Sequence, residues 1–223
     1  MSEVEIGFGV GDRRTSGLWQ PADGAVAVGV IAPGAGNTMR HPYFEGIVEG
    51  LARDGVAALR FNFLYAEAGR RYPDPPALLV ETWRAALAEA ASRAGGLPLA
   101  ATGKSLGGRI ASMVAAEDGV AFAARCLVFF GYPLHAPGKA DQPRDAHLSA
   151  IRVPMLFIEG TKDPFARWDL IQGVIERLGP LARLHTIEGG DHSHRVRGVK
   201  RSDREIGVEL GKVAAAFVRE VAG

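Results

Sequence analysis

The chain has 223 residues, of which 47% are hydrophobic and 23% charged, enough for one α/β domain and too apolar for a disordered segment. A formal net charge of +1 gives no global pull toward nucleic acid or an anionic membrane, and a single cysteine closes no internal disulfide. No apolar run approaches bilayer-spanning length, and the N-terminal Met1-Ser2-Glu3-Val4-Glu5-Ile6 lacks the basic-then-apolar pattern of a signal peptide, so a cytoplasmic protein without membrane or nucleic-acid partners is expected.

Val4–Val10 and Ser16–Trp19 read as short strands around the turn-rich Gly11-Asp12-Arg13-Arg14. Ala25–Ala32 is a continuous apolar run, the pattern of a parallel strand buried on both faces, and it ends in Pro33-Gly34-Ala35-Gly36-Asn37. A helix fits His41–Asp54, with Phe44, Ile47, Val48 and Leu51 on one face and Gly55 as its stop. Val56–Phe63 is the next strand. A polar turn region, 66–76, follows with Arg70, Arg71 and three prolines. Ala77–Ala94 is helical, with Leu79, Trp83, Leu87 and Ala90 at helical spacing.

An apolar run then ends at Gly103, and a helix opens after Ser105 and continues to about Ala116. Cys126–Phe130 is a strand whose cysteine reads as a small buried hydrophobe. Val153–Ile158 is another strand, Pro164–Leu178 a helix, and Leu184–Ile187 a short strand. The last helix begins at Ser202-x-x-Glu205, a capping box, with Ile206, Leu210, Val213, Phe217 and Val221 along one face. Alternating strands and helices predict an α/β fold with a mostly parallel central sheet and helices on both faces. No repeat or linker divides the chain, so residues 1–223 are expected to form one domain.

Gly103-x-Ser105-x-Gly107 has the spacing of a nucleophile elbow, a turn so tight that positions flanking the serine must be small. Its rival is a phosphate-binding P-loop ending in Gly103-Lys104-Ser105. That loop needs a glycine where this chain has Pro98, which has no N–H for a phosphate. A nucleophilic serine needs a base, and the base needs an orienting acid. Asp163 follows the Val153–Ile158 strand, and His192 follows the Leu184–Ile187 strand, giving the chain order Ser, Asp, His of an elbow-type hydrolase.

Each has a plainer reading: Asp163 before Pro164 is a good helix N-cap, and His192 could be an ordinary loop histidine with His194 as competitor. His192 is preferred because it is nearer the strand end and follows Gly189-Gly190. One oxyanion donor is expected at the N–H of Leu106, and another from the loop at Gly34 and Ala35.

Ala32-Pro33-Gly34-Ala35-Gly36, Arg60-Phe61-Asn62-Phe63, Glu67-Ala68-Gly69-Arg70-Arg71, Gly103-Lys104-Ser105-Leu106-Gly107-Gly108-Arg109, Tyr132-Pro133-Leu134-His135 and Gly160-Thr161-Lys162-Asp163-Pro164 span nearly the whole chain. Together they resemble a small branch of the α/β-hydrolase superfamily, similar to dienelactone hydrolases, that includes testis-expressed and histone-acetyltransferase-complex members. The resemblance implies an α/β-hydrolase fold, the triad Ser105, Asp163 and His192, and oxyanion donors at Ala35 and Leu106. The branch usually opens its oxyanion loop His-Gly, and here the first position is Pro33; the donors lie beyond it, so the hole is expected to survive.

Residues 131–152 are too short for a full lid, so little or no cap domain and an open cleft are expected. His135 and His147 in that segment are read as rim residues, and Gly34, Arg70 and His135 are candidate substrate contacts. Arg70 and Arg71 offer planar forks to a carboxylate, or form a solvated turn. The basic run from His194 to Arg201 is a solvated surface or a steering patch for anions. No H-E-x-x-H, paired cysteines or calcium-loop pattern occurs, so neither metal nor cofactor is expected. Two functions follow: a serine hydrolase of small acyl substrates, or a hydrolase-fold interaction protein with a vestigial or unassembled triad. Nothing in the sequence fixes the oligomeric state.

Overall fold

Residues 2–223 are described by a computed structural model. Eight strands, β1 (Val4–Val10), β2 (Arg13–Gln20), β3 (Ala27–Ala32), β4 (Val56–Phe61), β5 (Leu99–Lys104), β6 (Ala124–Phe130), β7 (Met155–Gly160) and β8 (Ala182–Ile187), form one sheet. Their order is β1-β2-β4-β3-β5-β6-β7-β8. The six strands from β4 to β8 across the sheet are parallel, and the β1–β2 hairpin adds two antiparallel strands at one edge. β3, β4, β5 and β7 are buried at every position, because helices cover both faces.

Six helices connect or flank these strands: α1 (Pro42–Arg53), α2 (Leu64–Glu67), α3 (Pro76–Arg93), α4 (Leu106–Asp118), α5 (Trp168–Leu178) and α6 (Asp203–Ala222). The expected faces of α1 and α3 are buried, and α6 starts with the reciprocal Ser202–Glu205 capping box. One apolar layer joins α3, α4 and α5 to the sheet; a second joins α1 and α6 to the other face.

Helices α1 and α6 meet through four glycines spaced i, i+4 on each helix. A Cβ on Gly46 or Gly207 would stand 2.2 Å from a backbone oxygen of the other helix. The corresponding distances are 2.3 Å at Gly211 and 2.4 Å at Gly50. No side chain fits there, so the backbones themselves pack and the sheet face is sealed by a close helix pair.

The chain runs from β3 to β4 on one side, then returns through α3 to β5 on the other side of β3. The order therefore reverses between β3 and β5, and the loops at their carboxyl ends diverge to leave a crevice. Those loops hold Pro33–Gly36 and Ser105. Between β6 and β7 the only regular structure is a 3-10 turn at Ala146–Ala150, and no cap domain is built there. Several expected boundaries move: β2 begins at Arg13, inside the expected turn, β4 ends at Phe61, and the start of α5 moves furthest. The helix predicted from Pro164 begins at Trp168, because 163–167 forms a turn held by the Asp163 side chain. A short helix, α2, lies at the start of the expected polar turn.

Candidate active site

Ser105 sits between the last residue of β5 and the first of α4, with φ 48° and ψ −113°. Such a positive φ strains a residue with a Cβ, and the surrounding glycines hold the turn in place. A Cβ on Gly103 would lie 2.3 Å from Gly108 N, and one on Gly107 would lie 2.5 Å from Ala32 O. The elbow is thus wedged against the end of β3. From the other side, the Trp83 indole N–H donates to Gly107 O at 2.9 Å.

His192 arrives from the loop after β8. Its Nε2 is 2.9 Å from Ser105 Oγ, and its Nδ1 is 2.6 Å from Asp163 Oδ2. The carboxylate fixes the tautomer: Nδ1–H donates to Asp163, which leaves Nε2 to accept from the serine hydroxyl. Asp163 has no solvent-exposed side-chain surface, and its second oxygen accepts from Phe165 N at 2.7 Å. That bond closes the turn after β7 and aims the first oxygen at the imidazole. The Phe165 ring lies 4.3 Å, centroid to centroid, from the His192 ring and limits its rotation.

The three residues expected to act together are therefore adjacent. His194 is not part of them. It is buried, with Nδ1 3.0 Å from Tyr43 Oη and Nε2 3.1 Å from Ile158 O. Burial, reinforced by the Lys104 charge, pushes its pKa down to about 3, so it stays neutral and pins the loop that carries His192.

The loop after β3 abuts Ser105: a Cβ on Gly34 would stand 3.6 Å from Ser105 Cβ. Leu106 N–H opens helix α4, and neither it nor Ala35 N–H reaches an acceptor among the described residues. Gly36 N–H donates to Tyr65 Oη at 3.3 Å, and the Met39 N–H donates to Asn62 Oδ1 at 2.8 Å. Asn62 in turn donates to Glu67 Oε1 at 2.6 Å. The motif residues after β4 thus brace the loop from which an oxyanion donor is expected, whatever occupies position 33.

The candidate substrate contacts separate. His135 is 3% exposed; its Nδ1 bonds Ala136 O and its Nε2 accepts from Arg167 N, each at 2.9 Å. Both nitrogens are used by backbone, which corrects the expectation of a substrate contact: His135 staples the 131–152 segment to the loop before α5. Arg70 is half exposed, with its guanidinium tied at 2.5 Å to the buried Asp74. His147 meets Ser112 Oγ at 2.8 Å, which anchors the same segment to α4. In the basic run, Arg195 pairs with Asp203 and Arg201 with Glu209, both at 2.6 Å, so much of its charge is locally compensated. Cys126 is buried, with its thiol pushed up to about 12 by desolvation.

Lys104, which the sequence offered only as part of the excluded P-loop, takes a defined place. It is buried, its Nζ donates to His192 O at 2.5 Å, and burial lowers its pKa to about 8. A cation at the end of a strand buried on both faces was the available signal. Glu159, also buried, accepts from Tyr132 N, and desolvation raises its carboxyl well above the ordinary range. Beside Lys104 a cavity of about 220 Å³ opens between Asn37 of the β3 loop and Ser193 of the β8 loop. Among the described residues no three His, Cys, Asp or Glu side chains converge as a metal-ligand set, and no helix is long and apolar enough to cross a membrane.

A model of the alpha/beta hydrolase domain matches residues 25–222. Solved structures similar over the whole chain include a dienelactone hydrolase from Anabaena variabilis, at 20% identity and TM-score 0.76, covering 98% of this chain and 97% of that one. The esterase domain of a Rhodothermus marinus protein is 18% identical, with full coverage of both chains and TM-score 0.73. An α/β serine hydrolase without a lid from Xanthomonas campestris is 16% identical, covering 99% of this chain and 95% of that one, with TM-score 0.72. At these identities the likeness is one of fold.

Proposed function

Because the chain belongs to the alpha/beta hydrolase family, we propose that it is a serine hydrolase of small esters or related acyl compounds, working through an acyl-enzyme on Ser105. The observation that carries this reading is the unbroken line of hydrogen bonds from Ser105 Oγ through His192 to Asp163, at 2.9 and 2.6 Å. We place it in the dienelactone-hydrolase-like branch on the motifs that carry that resemblance.

Ser105 Oγ attacks the acyl carbon while its proton passes to His192 Nε2, and Asp163 stabilises the resulting imidazolium. The carbonyl oxygen becomes an oxyanion held by the N–H groups of Leu106 and Ala35, at the positive end of α4. His192 returns the proton to the leaving group as the tetrahedral intermediate collapses to the acyl-enzyme. Water then attacks that ester, with His192 taking its proton and restoring it to Ser105 as the acid departs. The absence of a cap domain and the short 131–152 segment leave the serine open to solvent on one side, which suits small substrates. An unassembled triad, one form of the interaction-protein alternative, would put His192 far from Ser105, and the 2.9 Å separation does not favour it.

A panel of p-nitrophenyl esters and thioesters of graded chain length and charge tests the reading. Turnover of short acyl groups is expected in the wild type and its loss in Ser105→Ala. Clean protein with no activity on any member, or an undiminished Ser105→Ala variant, contradicts it.

A further inference from the structure

We propose that Lys104 is a positioning residue for the base: it grips the backbone of His192 from beneath the site and sets, through its charge, how readily that imidazole takes the Ser105 proton. The inference rests on the serine-hydrolase reading for its consequence, but its geometry stands apart from it. Lys104 is the last residue of β5, directly before the nucleophile, and its side chain turns into the protein rather than toward substrate. Nζ donates to His192 O at 2.5 Å.

On the way it passes over Gly131, whose φ of +69° already favours glycine. A Cβ at that position would lie 2.8 Å from Lys104 Nζ and 3.4 Å from His192 Nδ1. The ammonium, the bare Gly131 backbone and the imidazole are therefore stacked as one layer. A side chain at 131 would crowd the ammonium, whose end would have to shift.

The ionisable groups facing Lys104 come from three directions. Glu159 lies on β7, Asp163 follows that strand, and Asp191 and His194 flank the base. His41, Arg195 and Asp203 share the cavity beside it. His194 is neutral, so the carboxylates of Asp163, Glu159 and Asp191 are the groups that oppose the loss of the ammonium charge to burial. A methionine of similar length would fill the same volume without desolvating a charge. What the ammonium adds is orientation of the loop and a positive field at the base. That field opposes a second positive charge beside it.

The test follows the His192 ring by NMR, with its resonance assigned from a His192→Gln variant, in wild type and Lys104→Met across pH 5 to 10. Removing the cation is expected to raise the ring's titration midpoint by about half a pH unit or more, the size of a single nearby charge. Lys104→Arg is expected to keep the midpoint. In the wild type the same resonance should show a second inflection near pH 8 as Lys104 itself titrates, a readout that needs no variant to fold. In ester hydrolysis, kcat of Lys104→Met should fall about tenfold or more with KM little changed, and the acidic limb of the profile should move up with the ring.

An unchanged midpoint in Lys104→Met together with a single wild-type inflection overturns the proposal. So does a loss of kcat that leaves the limbs of the profile where they were, the mark of a packing role alone. Failure of wild-type turnover strikes the serine-hydrolase reading instead, because the ring titration needs no substrate.

Discussion

Asp163 shows how one side chain ties local structure to chemistry. One oxygen caps the turn at Phe165 and the other meets His192, so neither is left for solvent. Asp163→Asn keeps the shape but presents an amide that favours the wrong imidazole tautomer. It is expected to lower kcat by about 10⁴-fold with little change in KM, measured on whichever ester the wild type turns over best.

Glu159 makes a different prediction, about stability. Its folded-state pKa lies above its unfolded one, so the folded chain keeps a proton that the unfolded chain releases. Its contribution is fully present below the ordinary glutamate range and is lost as pH rises through the folded value. Glu159→Gln retains an acceptor for Tyr132 N–H and removes the titration. Thermal melts should show the variant gaining on the wild type as pH goes from 5 to 8; a constant difference would refute the assignment. His194 acts in the opposite sense, since its folded pKa is depressed: stability present above pH 6.5 is lost as pH falls toward 3.

Among the elements, helices α1 and α6 give the sharpest contrast with propensity. Glycine inside a helix normally costs about 0.5–1 kcal/mol relative to alanine. At Gly211 that rule is reversed by contact, because the new methyl would meet Ile47 O at 2.3 Å. Gly211→Ala should destabilise by about 1–3 kcal/mol in urea unfolding. Gly173, exposed in α5 with nothing within 4 Å of its Cβ position, should instead gain about 0.5–1 kcal/mol on the same change. Equal effects at both positions would mean that the close packing of α1 on α6 is not what holds those glycines.

The helical faces of α1, α3 and α6 were legible from their periodicity, since burial imposes a local repeat of 3.6. The pairing of Gly46 and Gly50 with Gly207 and Gly211 was not, because it joins residues some 160 positions apart. The start of α5 differs from the local reading of Asp163-Pro164 as a helix cap, because Asp163 instead closes a turn at Phe165 with one oxygen and meets a histidine from another loop with the other.

For the molecule as a whole, the alternation of strands and helices announces a parallel sheet, but the order of strands depends on long-range closure and leaves no local mark. The reversal between β3 and β5 decides where the site lies, by setting the Gly34 loop against Ser105. Ser105, Asp163 and His192 were legible because each follows its own strand in a fixed order. Choosing His192 over His194 rested on its nearness to the strand end and on the Gly189-Gly190 pair, and the buried bonds of His194 now supply a structural reason. The roles of His135 and Lys104 were hidden, since both depend on backbone atoms brought from other loops.

The central claim is that this assembly makes Ser105 a nucleophile. Labelling with a fluorophosphonate, followed by peptide mass mapping, tests it most directly. One adduct per chain on the peptide carrying Ser105 is expected, absent in Ser105→Ala and slowed strongly in Asp163→Asn. Folded wild-type protein that takes up no label, or takes it up elsewhere, contradicts the claim.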